Sequence, residues 1–175
     1  MSERECFCDY DLPDGIELNE DGRLEDEEGQ LVYLTDGACR YNGKPYAEAA
    51  CAYFSGPACY RSWDDTADPP TNQTAELRAI LGAVKKAIRL GEDNISLLTD
   101  SQYAVKCITV WPEKWRQTER NDGTWLNVKG QPVANQALIK RILKTMSYAG
   151  IWVDFRFIPR EENEIADRLA KDQVA

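Results

Sequence analysis

Four acidic residues stand out by what surrounds them. Asp36 closes the apolar run Leu31-Val32-Tyr33-Leu34-Thr35 and is followed by Gly37. Asp100 closes Ile95-Ser96-Leu97-Leu98-Thr99, so two strand-like runs end in the same Leu-Thr-Asp. Glu76 falls in the first turns of a helical pattern, and Asp167 lies between Ala166 and Leu169 on a helix face that should be packed. Each has an ordinary explanation alone. Asp36-Gly37 reads as a turn, Asp100-Ser101 as a helix N-cap, Glu76 as an acid favoured by the helix dipole and Asp167 as a surface acid. Together they imply more. Four carboxylates converging on one strand end repel one another unless a cation is present. Oxygen ligands without histidine select Mg²⁺ or Mn²⁺. Two such ions about 4 Å apart activate a water and stabilise the leaving oxygen of a phosphodiester.

The elements that would position these acids follow from hydrophobic period and turn signals. Leu31–Cys39, Tyr46–Ser55 and Ala58–Trp63 read as an antiparallel meander, with Asn42-Gly43 and Gly56-Pro57 as its turns. Leu77, Ile80, Leu81, Val84 and Ile88 recur at helical spacing up to Gly91, with Thr71 or Asn72 as cap. Asn94–Asp100 reads as a fourth strand. A helix capped by Ser101 follows, with Pro112 disturbing or ending it. Residues 113–134 read as polar and irregular. A helix over about Asn135–Tyr148, a strand over Ile151–Ile158 and a last helix over Glu161–Gln173 complete the chain. The expected fold is α/β: a five-stranded mixed sheet, three antiparallel meander strands plus two parallel ones, with helices on both faces. A right-handed crossover through the first helix places the fourth strand beside the first, so Asp36 and Asp100 become neighbours.

Charge divides the chain at about residue 30. Of 30 acids and 21 bases, residues 1–30 hold 12 acids and 2 bases, leaving the body at 18 acids and 19 bases. We therefore expect an acidic, weakly ordered tail over 1–30, with a possible hairpin just before a domain over 31–175. Such a tail would compete with a polyanion for a basic face. Residues 111–144 carry 7 bases and 3 acids, which marks that stretch as such a face. Six cysteines without a CxxC pair, and no histidine, argue against a zinc fold. Cys6-x-Cys8 is the only close pair, with a metal or redox role the less expected reading. Cys39, Cys51 and Cys107 read as packed free thiols, pointing to a reducing intracellular compartment, cytoplasm or nucleus. No apolar run is long enough to span a bilayer, and the N-terminus lacks the features of a signal peptide.

Thr35-Asp36-Gly37-Ala38-Cys39, Thr71-Asn72-Gln73-Thr74-Ala75-Glu76-Leu77, Thr99-Asp100-Ser101-Gln102-Tyr103 and Asn163-Glu164-Ile165-Ala166-Asp167-Arg168-Leu169-Ala170 resemble the four motifs of type 1 ribonuclease H, in order and spacing. The resemblance covers about Leu31–Ala170 and implies an RNase H-like fold. It implies an endoribonuclease, a monomer, that hydrolyses the RNA strand of RNA–DNA hybrids and leaves 5′-phosphate and 3′-hydroxyl ends. By that resemblance Asp36 bridges two Mg²⁺ ions, with Mn²⁺ able to substitute. Asp167 serves the ion that activates water, and Glu76 and Asp100 the ion at the leaving 3′ oxygen. Cys39, Asn72 and Gln73 match positions whose backbone reads the RNA 2′-hydroxyls. Thr71 and Asn135 match positions that hold a DNA phosphate. Trp111 and Trp115 match aromatic positions of a basic protrusion that packs on deoxyribose.

One departure is plain. Many members carry a histidine between the fifth strand and the last helix, where this chain has Ile158-Pro159-Arg160-Glu161-Glu162-Asn163. Arg160, Glu161 or Glu162 are the available substitutes. The alternatives are a DNA nuclease of the same superfold, of resolvase or transposase type, and a hybrid-binding module that has lost catalysis.

Overall fold

The computed structural model describes residues 7–175. Its sheet has seven strands, and the five expected ones form its body. They are β3 (Leu31–Arg40), β4 (Glu48–Phe54), β5 (Tyr60–Asp64), β6 (Asn94–Thr99) and β7 (Trp152–Phe157). Their lateral order is β5-β4-β3-β6-β7, antiparallel from β5 to β3 and parallel from β3 to β7. The register pairs Thr35 with Thr99. The Leu-Thr-Asp echo is thus a pair of parallel segments lying side by side, one inside β3 and one at the end of β6.

Alternation along β3 divides the core between two faces. Tyr33 packs toward α1 (Asn72–Arg89), α2 (Gln102–Thr109) and α4 (Gln136–Ala149), through Leu77, Ile80, Val84, Cys107, Ile139 and Ile142. Val32 and Leu34 pack on the other face against Ile165, Ala166 and Leu169 of α5 (Glu164–Gln173). At the start of α1, Thr71 Oγ1 accepts from Thr74 N–H at 3.0 Å and Thr74 Oγ1 accepts from Thr71 N–H at 2.9 Å. This reciprocal cap fixes where the helix begins, and so where Glu76 stands.

From Phe7 on, the acidic segment is not the weakly ordered tail expected from its composition, though the hairpin expected before the domain is present. Beyond a short 3₁₀ turn at Phe7–Asp9, β1 (Ile16–Leu18) and β2 (Leu24–Asp26) form a hairpin that joins the sheet at the start of β3. Leu24 is fully buried, Ile16 nearly so, and Phe7, Tyr10 and Leu12 pack on the same cluster as Val32 and Phe54. Arg23 fastens the hairpin to the far side of the fold. Its guanidinium donates to Glu92 at 2.8 Å, to Tyr33 Oη at 3.0 Å and to Ser55 Oγ at 3.0 Å. Leu18, by contrast, is half exposed.

Two smaller boundaries differ. Pro112 opens a further short helix, α3 (Trp111–Arg116), instead of leading into irregular chain, because proline is tolerated in a first helical turn. The last helix starts at Glu164, preceded by a 3₁₀ turn over Arg160–Glu162. Of the Cys6-x-Cys8 pair, Cys6 lies outside the described residues and Cys8 is disulfide-bonded. Cys39, Cys51, Cys59 and Cys107 are free thiols.

Candidate active site

Asp36 sits within β3 and not at a turn, since the strand runs on to Arg40. It is 4% exposed. Asp100 follows β6 directly, but the capping role there belongs to Ser101, whose Oγ accepts from Ala104 N–H at 3.1 Å. Asp100 is left free to face Asp36. Glu76 is turned inward: its Oε2 is buried and accepts no hydrogen bond. It reaches Asp36 because Gly37 lies between strand and helix. A Cβ at Gly37 would overlap the Ala75 carbonyl carbon and the Glu76 amide nitrogen. The local requirement is space, since Gly37 is not among the glycines of positive φ.

One carboxylate oxygen from each of Asp36, Glu76 and Asp100 lies within 4.8 Å of the others. Asp167, on α5, opens onto the same cleft of about 440 Å³ and carries its own counter-cations. Lys171 Nζ lies 2.7 Å from Asp167 Oδ2, and Arg160 Nη2 lies 3.6 Å from Oδ1. Asn163 ties the site to its supports. Fully buried, it donates from Nδ2 to the Thr35 carbonyl at 2.9 Å and to Asp100 Oδ1 at 3.4 Å.

This crowding sets the protonation. Burial pushes the Asp36 carboxyl up to about 10, helped by the charges of Glu76, Asp100 and Asp167. Burial, then the charge of Asp100, pushes Glu76 up to about 8. All-oxygen donors, an unpartnered buried oxygen and acids that resist ionising together fit a divalent cation.

The stability of the metal-free protein should depend on pH accordingly. In the unfolded chain both acids ionise near pH 4. In the fold they keep their protons toward about 8 and 10. Between those limits the folded state binds more protons than the unfolded one, so stability falls as pH rises. The melting temperature in EDTA is expected to be higher at pH 5 than at pH 8, and saturating divalent ion should reduce the difference. A melting temperature in EDTA that rises over this interval would refute the electrostatic account of the site.

The structure brings some of the other candidate residues to this cleft and not others. Cys39 and Asn72 line it. Thr71 is the N-cap of α1, and Gln73 is exposed on the same first turn. Trp111, Trp115 and Asn135 do not line it. They belong to a separate row of rings. Asn135, in the left-handed region at the start of α4, donates to Tyr103 Oη at 2.9 Å. Tyr103 meets Trp111, Trp111 meets Trp115, and Trp115 meets Trp125, with ring centroids 5.6 to 6.1 Å apart. Trp111 and Trp115 are half-buried. Trp125 is buried with the Lys140 ammonium 4.6 Å from its ring centre.

Asn163 and Lys171 acquire positions at the site that the residue pattern did not assign, and Arg160, one of the three candidates for the place of the missing histidine, lines the cleft. Lys171 was readable in principle, since it lies four residues beyond Asp167 on one helix. Asn163 carried no such signal.

A family model described as RNase H matches residues 28–175. A "Ribonuclease H" of Paracidovorax citrulli is 32% identical over 152 residues, covering 83% of this chain and 94% of that protein. A "Ribonuclease H" of Schizosaccharomyces pombe is 34% identical over 128 residues; the match covers 72% of this chain and 45% of the yeast protein. The solved structure of LC11-RNase H1 in complex with an RNA/DNA hybrid superposes with a TM-score of 0.58 at 19% identity, covering 82% of this chain and 95% of that one.

Proposed function

Since the chain belongs to the RNase H family, we propose that it is an endoribonuclease that hydrolyses the RNA strand of RNA–DNA hybrids, leaving 5′-phosphate and 3′-hydroxyl ends. The observation that carries this reading is the convergence of Asp36, Glu76 and Asp100, with one oxygen of each within 4.8 Å of the others and Glu76 Oε2 buried without a partner. Asp167 completes the set from α5. These four acids would hold two Mg²⁺ ions, or Mn²⁺ in their place. When bound, the pair supplies an activated water and charge stabilisation at the leaving oxygen. Asp36 would bridge the two, Asp167 would hold the first, and Glu76 and Asp100 the second.

The chain's own groups do the rest. Cys39 and Asn72 line one wall of the cleft, with Gln73 exposed on the same helical turn as Asn72, and these three would read the 2′-hydroxyls that distinguish RNA. Thr71 and Asn135 would hold phosphates of the DNA strand. Trp111 and Trp115 would lay ring faces on its sugars. No histidine follows β7; Arg160 stands on that link and faces Asp167. Monomeric action in a reducing intracellular compartment belongs to the same reading. Four free thiols support the compartment, while the disulfide-bonded Cys8 counts against it. Among the described residues no helix is long and apolar enough to cross a membrane.

The test is direct. Labelled hybrid, duplex DNA, duplex RNA and a four-way junction are incubated with the protein, with Mg²⁺ and with EDTA. Cleavage confined to the RNA of the hybrid, and dependent on Mg²⁺, is the expected result. Cutting of DNA, or hybrid binding without cutting, would overturn it in favour of a DNA nuclease or a binding module.

A further inference from the structure

The connection between β3 and β4 carries two aromatic rings where water would favour polar side chains. Tyr41 is 50% exposed and Tyr46 is 64% exposed. Their ring centroids are 5.2 Å apart with planes at 63°, an edge-to-face pair that leaves ring surface open to solvent. Tyr41 holds a φ of 54°, a conformation that costs a non-glycine residue energy its burial does not return.

The pair is also braced from the side of the carboxylate cleft. Arg40, which lines that cleft, donates to the Val174 carbonyl at 3.0 Å and to Tyr41 Oη at 3.0 Å, with its guanidinium 5.1 Å from the Tyr41 ring centre. Asn42 Oδ1 accepts from Asn72 N–H at 3.2 Å, which pins the turn to the start of α1. Glu48 is the cross-strand neighbour of Arg40, yet no side-chain hydrogen bond or ion pair joins them. The rings are therefore held, exposed, and continuous with the catalytic wall, with Arg40 and Lys44 beside them.

We propose that Tyr41 and Tyr46 form a stacking platform for an unpaired nucleobase, supplied by the RNA strand where it leaves the hybrid. This rests on the hybrid-cleavage reading. Within a hybrid each base is covered by its neighbours, so only an unpaired nucleotide offers a face to a ring. Stacking on tyrosine accepts any base, and the adjacent cations meet the phosphates of the same strand. The platform adds a preference for hybrids whose RNA runs on as a single strand.

Binding is measured by fluorescence anisotropy in EDTA, so that no cleavage intervenes. The probes are a blunt hybrid and the same hybrid with a short single-stranded extension of its RNA at the 5′ or the 3′ end, or of its DNA. The wild-type protein is expected to bind one RNA-extended hybrid about tenfold more tightly than the blunt one. The double variant Tyr41→Ala/Tyr46→Ala should lose that gain and keep the blunt affinity, and the double Phe variant should retain it. Equal affinity for blunt and extended hybrids, a gain that survives the alanine variant, or an equal gain from a DNA extension would each overturn the platform. Failure of the wild-type protein to bind any hybrid would overturn the hybrid reading with it, so the two failures are distinguishable.

Discussion

Asp36→Asn is expected to abolish cleavage of the hybrid while leaving the metal-free protein at least as stable as the wild type. The substitution keeps shape and removes the buried acid that three other carboxylates crowd. Asparagine needs no proton to be buried there, so the apo fold is spared the cost of neutralising the acid and is not weakened. The cost falls on cation binding. Groups that merely support a metal ligand cost about 10–100-fold when removed, and a ligand shared by two ions should cost more, on the order of 10³-fold or beyond. Thermal melting in EDTA, calorimetric titration with Mn²⁺ and the cleavage assay give three independent readouts. A large fall in apo melting temperature, or near-normal turnover, would remove Asp36 from the ligand set.

Gly37→Ala is expected to damage the same chemistry without touching any charge. The added methyl would overlap backbone atoms of Ala75 and Glu76 and lie 2.7 Å from Ala75 Cβ. Those atoms cannot rotate away, so the start of α1 must move off β3 and take Glu76 with it. Overpacking of this kind costs about 1–3 kcal/mol of stability, and a displacement near 1 Å at a catalytic group costs about 10²-fold in rate. Gly82 supplies the control. A Cβ there would overlap the Trp63 ring, again between α1 and the sheet but away from the acids. Gly82→Ala should lower the melting temperature and leave the rate per folded molecule largely intact. Equal effects of both substitutions on that rate would show that Gly37 matters for packing alone.

How much was legible beforehand depends on the range of the interaction involved. Asp36 and Asp100 were readable because the two Leu-Thr-Asp runs lie parallel and in register, and Thr35 does pair with Thr99. Glu76 was readable from its place after a capping pattern, though nothing local showed that Gly37 lets it approach. The hairpin at Ile16–Asp26 was not readable as part of the core. Three-residue strands carry no period, and what holds them is distant: Phe54 beneath Phe7, with ring centroids 4.7 Å apart, and Glu92 opposite Arg23. The burial of Asn163 and the exposure of Tyr41 escaped for the same reason, since a residue's type does not say which way the fold turns it.

The fixed hairpin has an effect on how a polyanion arrives. Residues 1–30 carry a net −10, from 12 acids and 2 bases, and most of that charge is anchored at the start of β3. Asp36 lies five residues along that strand, about 16 Å away. That is about two screening lengths at physiological salt, so the hairpin barely perturbs the carboxylate cluster. Its influence is on orientation. The molecule is a dipole with its negative pole held rigidly at one end of the sheet, and an incoming nucleic acid feels a torque before it feels a contact. Encounters that would dock hairpin-first are turned aside, and the productive face is presented more often per collision. Neutralising those acids should change the association rate and its salt dependence while leaving dissociation nearly as it was.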